Sequence, residues 1–365
     1  MAISFSVTPS SSPSEGEAIA EILRDPGFGV HFTDHMARAT WSKEQGWHDG
    51  RICAVEPYKL HPAASVFHYG QEIFEGLKAY VHEDGQAALF RPDKNAARFA
   101  TSADRLVLPR IDADSFLRSI ESLVRIDQAW IPRGNSESSL YLRPYMFASE
   151  SYLGVRPSRS AEYGVIATPA GPYFSDGVAG ITLWITTKYS RAAPGGTGSA
   201  KCGGNYAGSL LAQMEAEEHG CDQVLFTGGR QDAPVLDESG TMNIFVVTND
   251  GRLLTPPLGT ILDGVTRDSV LTLAPDHALT PLQETVTRDG LLNGCRDGSV
   301  KEVFAAGTAA VITPIVGFRG EGIEAVVGDG QPGPATIAIR EHLLGIQFGN
   351  LPDRHGWIHL IDLDS

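Results

Sequence analysis

Between residues 175 and 200 the chain shifts to glycine, alanine, serine and threonine, with a single strand-like run, ITLWITT (181–187), inside the shift. A stretch this poor in large apolar side chains is a weak place to build a core, so it reads as a join between two folding units. The length agrees, since 365 residues exceed the size at which one core keeps growing. We expect a smaller α/β domain over 28–177, a connection over 178–190 and a larger domain over 191–365. The first 27 residues, rich in serine and proline, are expected to be disordered or loosely attached.

Strand and helix patterns alternate on both sides of the join. QAALF reads as a short strand ending at Phe90, and KNAARFATSADRL as a helix after Arg91-Pro92. FLRSIESLVRI (116–126) repeats its apolar residues with a helical period, whereas SLYLRPYMFA (139–148) alternates like a strand, as does part of EYGVIATPAGPYF (162–174). Past residue 201, SLLAQMEAEEHG is a helix stopped by Gly220 and DQVLFT a strand. TMNIFVVTNDGRLLTPP holds two β-rich runs about Asn249-Asp250-Gly251, a hairpin signal. GVTRDSVLTLA and ATIAIREHLLGIQ read as helices, with the strand-like EVFAAGTAAVITPI between them. The fold class is therefore mixed α/β, of the α+β type.

Composition narrows the partners. The net charge is -15, and an excess of carboxylates repels phosphate backbones and anionic lipid, so neither nucleic acid nor a membrane is expected. No apolar run is long enough to cross a bilayer, and the start resembles no targeting peptide, so a cytoplasmic protein is expected. Cys53, Cys202, Cys221 and Cys295 form no CxxC pair, which fits free thiols in a reducing compartment, and no metal site is expected.

One lysine, Lys201, stands in GGTGSAKCGGNYAGSL (195–210), with glycines at 195, 196, 198, 203 and 204 close on either side. An amine that is to form a Schiff base must be desolvated and partly neutral, and bare backbone allows a planar partner to approach it. The segment is not a nucleotide-binding phosphate loop, because no Ser or Thr follows the lysine. A cofactor with a single phosphate stays open, and two small-residue segments could hold it: Gly264-Val265-Thr266 opening a helix, and Gly307-Thr308-Ala309 after a strand. A pyridine ring would also need a carboxylate beside its nitrogen, and Asp237 and Glu238 both qualify by type. Arg98 could add a bidentate phosphate contact.

Nine separate stretches, in order, resemble the branched-chain amino-acid aminotransferases, pyridoxal-phosphate enzymes of fold type IV. They are HFTDHM, LHPAASVFHYGQEIFEGLKAY, LFRPDKNAARF, LYLRPY, GPYF, GGTGSAKCGGNYA, DESGTMNIFVV, LLTPPLGTILDGVTRDS and EVFAAGTAAVITP. The resemblance implies a two-domain fold with the cofactor, pyridoxal 5'-phosphate, between the domains and bound mainly by the larger one. It also implies a reversible ping-pong transfer of the amino group between L-leucine, L-isoleucine or L-valine and 2-oxoglutarate, yielding glutamate and the branched 2-oxo acids. FEGLKAY and LYLRPY argue against two relatives of the same fold type, a D-amino-acid aminotransferase and an aminodeoxychorismate lyase. A non-catalytic cofactor-binding regulatory protein is the alternative outside enzymes, and the intact lysine, tyrosine and carboxylate set argues against it.

Carried over by resemblance, Lys201 falls on the Schiff-base lysine, Tyr206 on the tyrosine that binds the phenolic oxygen of the cofactor, and Glu238 on the carboxylate facing the ring nitrogen. Arg98, Val265, Thr266 and Thr308 resemble the phosphate cup. Phe74, Tyr141 and Tyr173 resemble aromatic walls of the side-chain pocket, Tyr69 and Arg143 the groups that admit the acidic side chain of glutamate, and Thr241 and Ala309 the holders of the α-carboxylate. Leu153 and Val155 match a loop that closes the pocket of a partner subunit, which implies a homodimer. The CxxC pair of vertebrate members is replaced here by Ala310-Val311-Ile312-Thr313, so no thiol switch is expected there.

Overall fold

The computed structural model describes residues 3–134, 137–172, 178–230 and 232–363. The chain divides into two compact units: Met1–Pro172 with Ala200–Gly203 and Gly345–Ser365, and Tyr173–Ser199 with Gly204–Leu344. The division differs from the expected one in two places. Residues 200–203, with Lys201 among them, belong to the first unit, and so does the end of the chain. The strand Ile358–Ile361 pairs antiparallel with Ala87–Phe90, with Ile358 opposite Phe90. Pairing between segments so far apart in sequence leaves no periodic signal, which is why the final residues read as part of the larger domain.

The first unit is built on one sheet. Its strand order runs Ser6–Val7, Gly46–Ala54, His35–Ser42, Ser160–Ala170, Ser139–Ala148, Leu77–Val81, Ala87–Phe90, Ile358–Ile361, with Glu72–Phe74 also paired to Ser139–Ala148. The helices Pro92–Leu106 and Ala113–Ile126 cover it. Asp112 starts the second helix by accepting the Ser115 N–H at 2.8 Å, an N-cap that satisfies one of the orphan donors. Phe99 and Phe116 pack ring against ring at 5.4 Å, and Phe99 meets Tyr163 of the sheet at 5.8 Å, so helices and sheet share one core.

Residues 3–27, expected to be loose, are docked on the first unit. Gly16–Arg24 is a helix whose Ile19 enters the core, and Ile3 is buried there too while its N–H donates to Ser115 Oγ at 2.7 Å. Ser10 donates its N–H to His35 Nε2 at 2.8 Å, and His35 Nδ1 meets Asp127 Oδ1 at 2.6 Å inside the protein. Three isoleucines, Ile3, Ile19 and Ile22, supply this anchorage, and serine, proline and glutamate around them hide it in the sequence.

In the second unit the strand order is Ala233–Ser239, Gln223–Arg230, Ile181–Ile185, Val311–Gly320, Val300–Gly307, Met242–Thr248, Arg252–Thr255, Thr280–Gln283. The first of these also pairs with Met242–Thr248, with Glu238 opposite Asn243, so six of the strands close into a ring, while Arg252–Thr255 and Thr280–Gln283 extend from it and Ile323–Val326 pairs with Val311–Gly320. The Asn249-Asp250-Gly251 hairpin is present, with Gly251 at φ 80° and Val246 opposite Leu254. The run EVFAAGTAAVITPI, expected as one strand, is two: Val300–Gly307 turns at residues 308–310 into Val311–Gly320, with Gly307 opposite Val311. Both of its halves are apolar, so no change in composition marks the turn.

Because Ile19 joins the helix Gly16–Arg24 to the first core, Ile19→Ala should destabilise the first unit by about 2–4 kcal/mol. Urea unfolding followed by tryptophan fluorescence measures it, and an unchanged midpoint would mean the N-terminal helix is not docked.

Candidate active site

In the first unit, Lys201 is held by backbone. Its N–H donates to Ser102 Oγ at 2.9 Å, its carbonyl accepts the Phe74 N–H at 3.0 Å, and the Gly203 N–H donates to Glu72. A Cβ on Gly203 would come within 2.4 Å of Glu72 Oε1, so a side chain there would break this seam. Ala200 and Cys202 alternate with Lys201 and point into the core, as in an extended strand. Cys202 is thus a packed apolar residue of this core.

The lysine amine lies 4.8 Å from the centre of the Phe74 ring. Beneath it is a buried ion pair: Arg98 Nε donates to Glu75 Oε1 at 2.7 Å and Nη2 to Oε2 at 2.8 Å, and Asn95 Nδ2 adds a bond to Oε2 at 2.8 Å. Glu75 is 0% exposed, so only such a bidentate pairing can offset the loss of its hydration. Burial raises the Glu75 pKa, but Arg98, Lys201 and Asn95 outweigh that and hold it below the usual carboxylate range. Desolvation lowers the Lys201 pKa to about 8; Arg98 and Arg143 push the same way, while Glu75 and Tyr141 oppose them. Roughly a tenth of this amine is neutral at pH 7, several hundredfold more than for an ordinary lysine. Such an amine can act both as a nucleophile and as a proton carrier near neutral pH.

Two further expected residues join this cluster. The Arg143 guanidinium stands 4.9 Å from the Phe74 ring and 5.3 Å from the Tyr141 ring, and its Nη2 donates to the Tyr141 hydroxyl at 3.2 Å. Aromatic faces therefore flank a cation, an arrangement that can meet an apolar group with the rings and an acidic one with the guanidinium. Phe28, which carried no role in the sequence reading, packs edge-on against Tyr141 at 5.1 Å. Tyr69 sits apart, donating its hydroxyl to the Leu153 carbonyl. Leu153 and Val155 are 63% and 87% exposed. Tyr173 lies outside the described residues.

In the second unit the expected residues gather at the closure of the sheet. Glu238 is 1% exposed. Its Oε1 accepts the Asn243 side-chain amide and the Leu262 N–H, both at 2.9 Å, and its Oε2 meets Arg191 Nε at 2.6 Å. Asn243 links the rest. Its amide also donates to the Leu262 carbonyl at 2.9 Å, its strand places it opposite Ala306 just before the 308–310 turn, and a Cβ on Gly264 would lie 2.0 Å from its Oδ1. Glycine at 264 thus lets the helix Val265–Leu273 begin directly against Asn243. Glu238, the Val265–Thr266 helix start and the Thr308–Ala309 turn are brought together in this way. Thr241 is exposed in the turn before Met242–Thr248, and Tyr206 is half-buried in the short helix Gly203–Ala207.

The choice between Asp237 and Glu238 has a structural counterpart. The two alternate on the strand Ala233–Ser239, so they face opposite sides of it. Asp237 accepts Thr260 Oγ1 at 3.0 Å; burial raises its pKa, with Thr260 and Arg191 opposing. Sequence reasoning missed Glu75, Asn95, Ser102, Arg191 and Asn243. None has an obvious chemical task by type and position, though Glu75, Asn95 and Asn243 sit within the quoted stretches FEGLKAY, LFRPDKNAARF and DESGTMNIFVV.

The amino-transferase class IV family pattern matches residues 72–318. The chain belongs to the class IV aminotransferases. The branched-chain-amino-acid aminotransferase of Mycobacterium tuberculosis (strain CDC 1551 / Oshkosh) is 46% identical over 98% of both chains. Among solved structures, the T.th. branched-chain amino acid aminotransferase with pyridoxamine 5'-phosphate has a TM-score of 0.74 at 29% identity, covering 89% of this chain and 99% of its own. The branched-chain amino acid aminotransferase of Escherichia coli has a TM-score of 0.73 at 28% identity, covering 89% of this chain and 100% of its own. Membership makes the chain an enzyme that moves amino groups, on a fold type IV scaffold. Among the described residues no helix is long and apolar enough to cross a membrane, and no group of His, Cys, Asp and Glu could hold a metal ion.

The depressed lysine predicts a titration. Labelled with trinitrobenzenesulfonate and read at the level of its peptide, Lys201 in the ligand-free protein should react with a midpoint near pH 8. Because Glu75 raises that pKa, Glu75→Gln should move the midpoint lower still; a midpoint near 10.5, the ordinary lysine value, would contradict the account.

Proposed function

We propose that this class IV aminotransferase is a branched-chain amino-acid aminotransferase dependent on pyridoxal 5'-phosphate. It moves the amino group of L-leucine, L-isoleucine or L-valine to 2-oxoglutarate, giving glutamate and the branched 2-oxo acid. The observation that carries this reading is the desolvated Lys201 amine 4.8 Å from the centre of the Phe74 ring and within the field of the Arg98–Glu75 pair, with a pKa of about 8.

The residues suit the cofactor in kind. A poised amine, a buried carboxylate backed by Arg191, and a helix start opened by Gly264 are the groups that a pyridine aldehyde bearing one phosphate requires. Lys201 would hold the aldehyde carbon, Glu238 the ring nitrogen and Tyr206 the phenolic oxygen, while Arg98, Val265, Thr266 and Thr308 would bind the phosphate. When bound, pyridoxal phosphate supplies an electron sink for the pair left at the substrate α-carbon once its proton is removed.

The remaining work belongs to the chain. Lys201 takes the α-proton as its neutral amine and returns it as the ammonium, a task matched to a pKa of about 8. By resemblance to the family, Phe74 and Tyr141 would meet the substrate side chain, and Thr241 and Ala309 would hold the α-carboxylate. Arg143, screened by Phe74 and Tyr141, and Tyr69 admit the second carboxylate of glutamate. The exposed apolar Leu153 and Val155 suit a loop that closes the pocket of a second copy, so the working unit is a homodimer.

Lys201→Ala should still bind pyridoxal phosphate but produce no glutamate from leucine and 2-oxoglutarate, whereas the wild type alone should show its bound-cofactor absorption change on adding L-leucine and revert with 2-oxoglutarate. Normal glutamate formation by Lys201→Ala would end the proposal.

A further inference from the structure

Arg191 stands ten residues before Lys201 and has no part in the roles above. Its side chain is 6% exposed and reaches three separate segments of the second unit. Nε meets Glu238 Oε2 at 2.6 Å, Nη1 donates to the Thr260 carbonyl at 3.1 Å, and both terminal nitrogens reach the Gly198 carbonyl at 3.3 Å. The two carbonyls belong to the loop leading to Lys201 and to the loop leading to Leu262, whose N–H binds the other oxygen of Glu238. One guanidinium therefore fixes a buried carboxylate and both loops beside it, a task that its planar fork performs and an ammonium cannot.

The charge balance around Glu238 is uneven. Arg191 contacts it directly, and Arg267 on the helix Val265–Leu273 is a second cation coupled to it, itself offset by Asp263 and Asp268. Asp237, next to it on the strand, points away and also interacts with Arg191. A buried carboxylate that loses the cation in direct contact with it binds a proton more readily, and a protonated Glu238 would donate to the ring nitrogen rather than accept from it.

We propose that Arg191 is a positioning residue for Glu238: it keeps the carboxylate ionised and turned to one orientation, and so decides that the proton shared with the cofactor resides on the ring nitrogen. The proposal rests on the reading of Glu238 given under the proposed function. Without Arg191 the proton moves the short distance to the carboxylate, leaving a neutral acid and a neutral ring; no other bond changes. The ring then withdraws electrons less well, so kcat falls while the KM for leucine changes little.

The test loads the protein with pyridoxal 5'-phosphate carrying 15N in the ring and follows the ring 15N signal against pH. The wild type should show a protonated ring. In Arg191→Gln the signal should move toward the unprotonated value and its titration midpoint should fall, with Arg191→Lys between the two. Glu238→Gln serves as the control. If Glu238→Gln moves the signal and Arg191→Gln matches the wild type, the role of Arg191 is refuted. If neither moves it, the reading of Glu238 itself fails. Should Arg191→Gln not fold, Arg191→Lys decides: a wild-type midpoint overturns the proposal. Folded variants that no longer load the cofactor overturn it too, because Arg191 would then be a binding residue.

Discussion

The backbone of residues 200–203 is stitched into the first unit by three hydrogen bonds, to Ser102, Phe74 and Glu72, and by two side chains, Ala200 and Cys202, that enter its core. This seam explains the bare composition around the lysine. A side chain at Gly203 would displace the Glu72 carboxylate that accepts its N–H, and alternation sends the residues on either side of Lys201 inward. An amine presented in this way loses its hydration without losing its position. Its depressed pKa is then a consequence of packing, with Arg98 adding to the effect and Glu75 limiting it.

The second unit meets a matching demand by closing its sheet. Pairing Glu238 with Asn243 across the closure places a carboxylate where water cannot reach, and Asn243, Leu262 and Arg191 satisfy it there. The same asparagine abuts Gly264 and lies one ladder step from the turn at 308–310. Each unit buries an ion pair: Arg98 is held by Glu75 in the first and Glu238 by Arg191 in the second.

Much of this was legible in the sequence, and the parts that were not share a cause. Helices such as Ala113–Ile126 and strands such as Ser139–Ala148 carry strong periodicity, and the Asn-Asp-Gly turn names its hairpin. Lys201, Arg98, Phe74, Tyr141 and Arg143 were singled out from motifs, and they form one cluster in the first unit. The docking of Ile3 and Ile19, the return of Ile358–Ile361 to the first sheet and the turn inside EVFAAGTAAVITPI were not legible, because each depends on contacts between distant segments or on a boundary between equally apolar runs. Glu75, Asn243 and Arg191 were missed for the same reason: a supporting charge acquires its meaning only from the partner that the fold brings to it.

The central claim is that Lys201 is the amine that engages the cofactor. The protein loaded with pyridoxal 5'-phosphate is treated with borohydride, which fixes a carbon–nitrogen double bond as a stable amine, then digested with trypsin and mapped by mass spectrometry. The account predicts a single phosphopyridoxyl group, in a peptide running from Ala192 to Arg230 with Lys201 uncleaved. A label on Lys188, Lys78 or any other lysine, with Lys201 unmodified and cleaved, would contradict it.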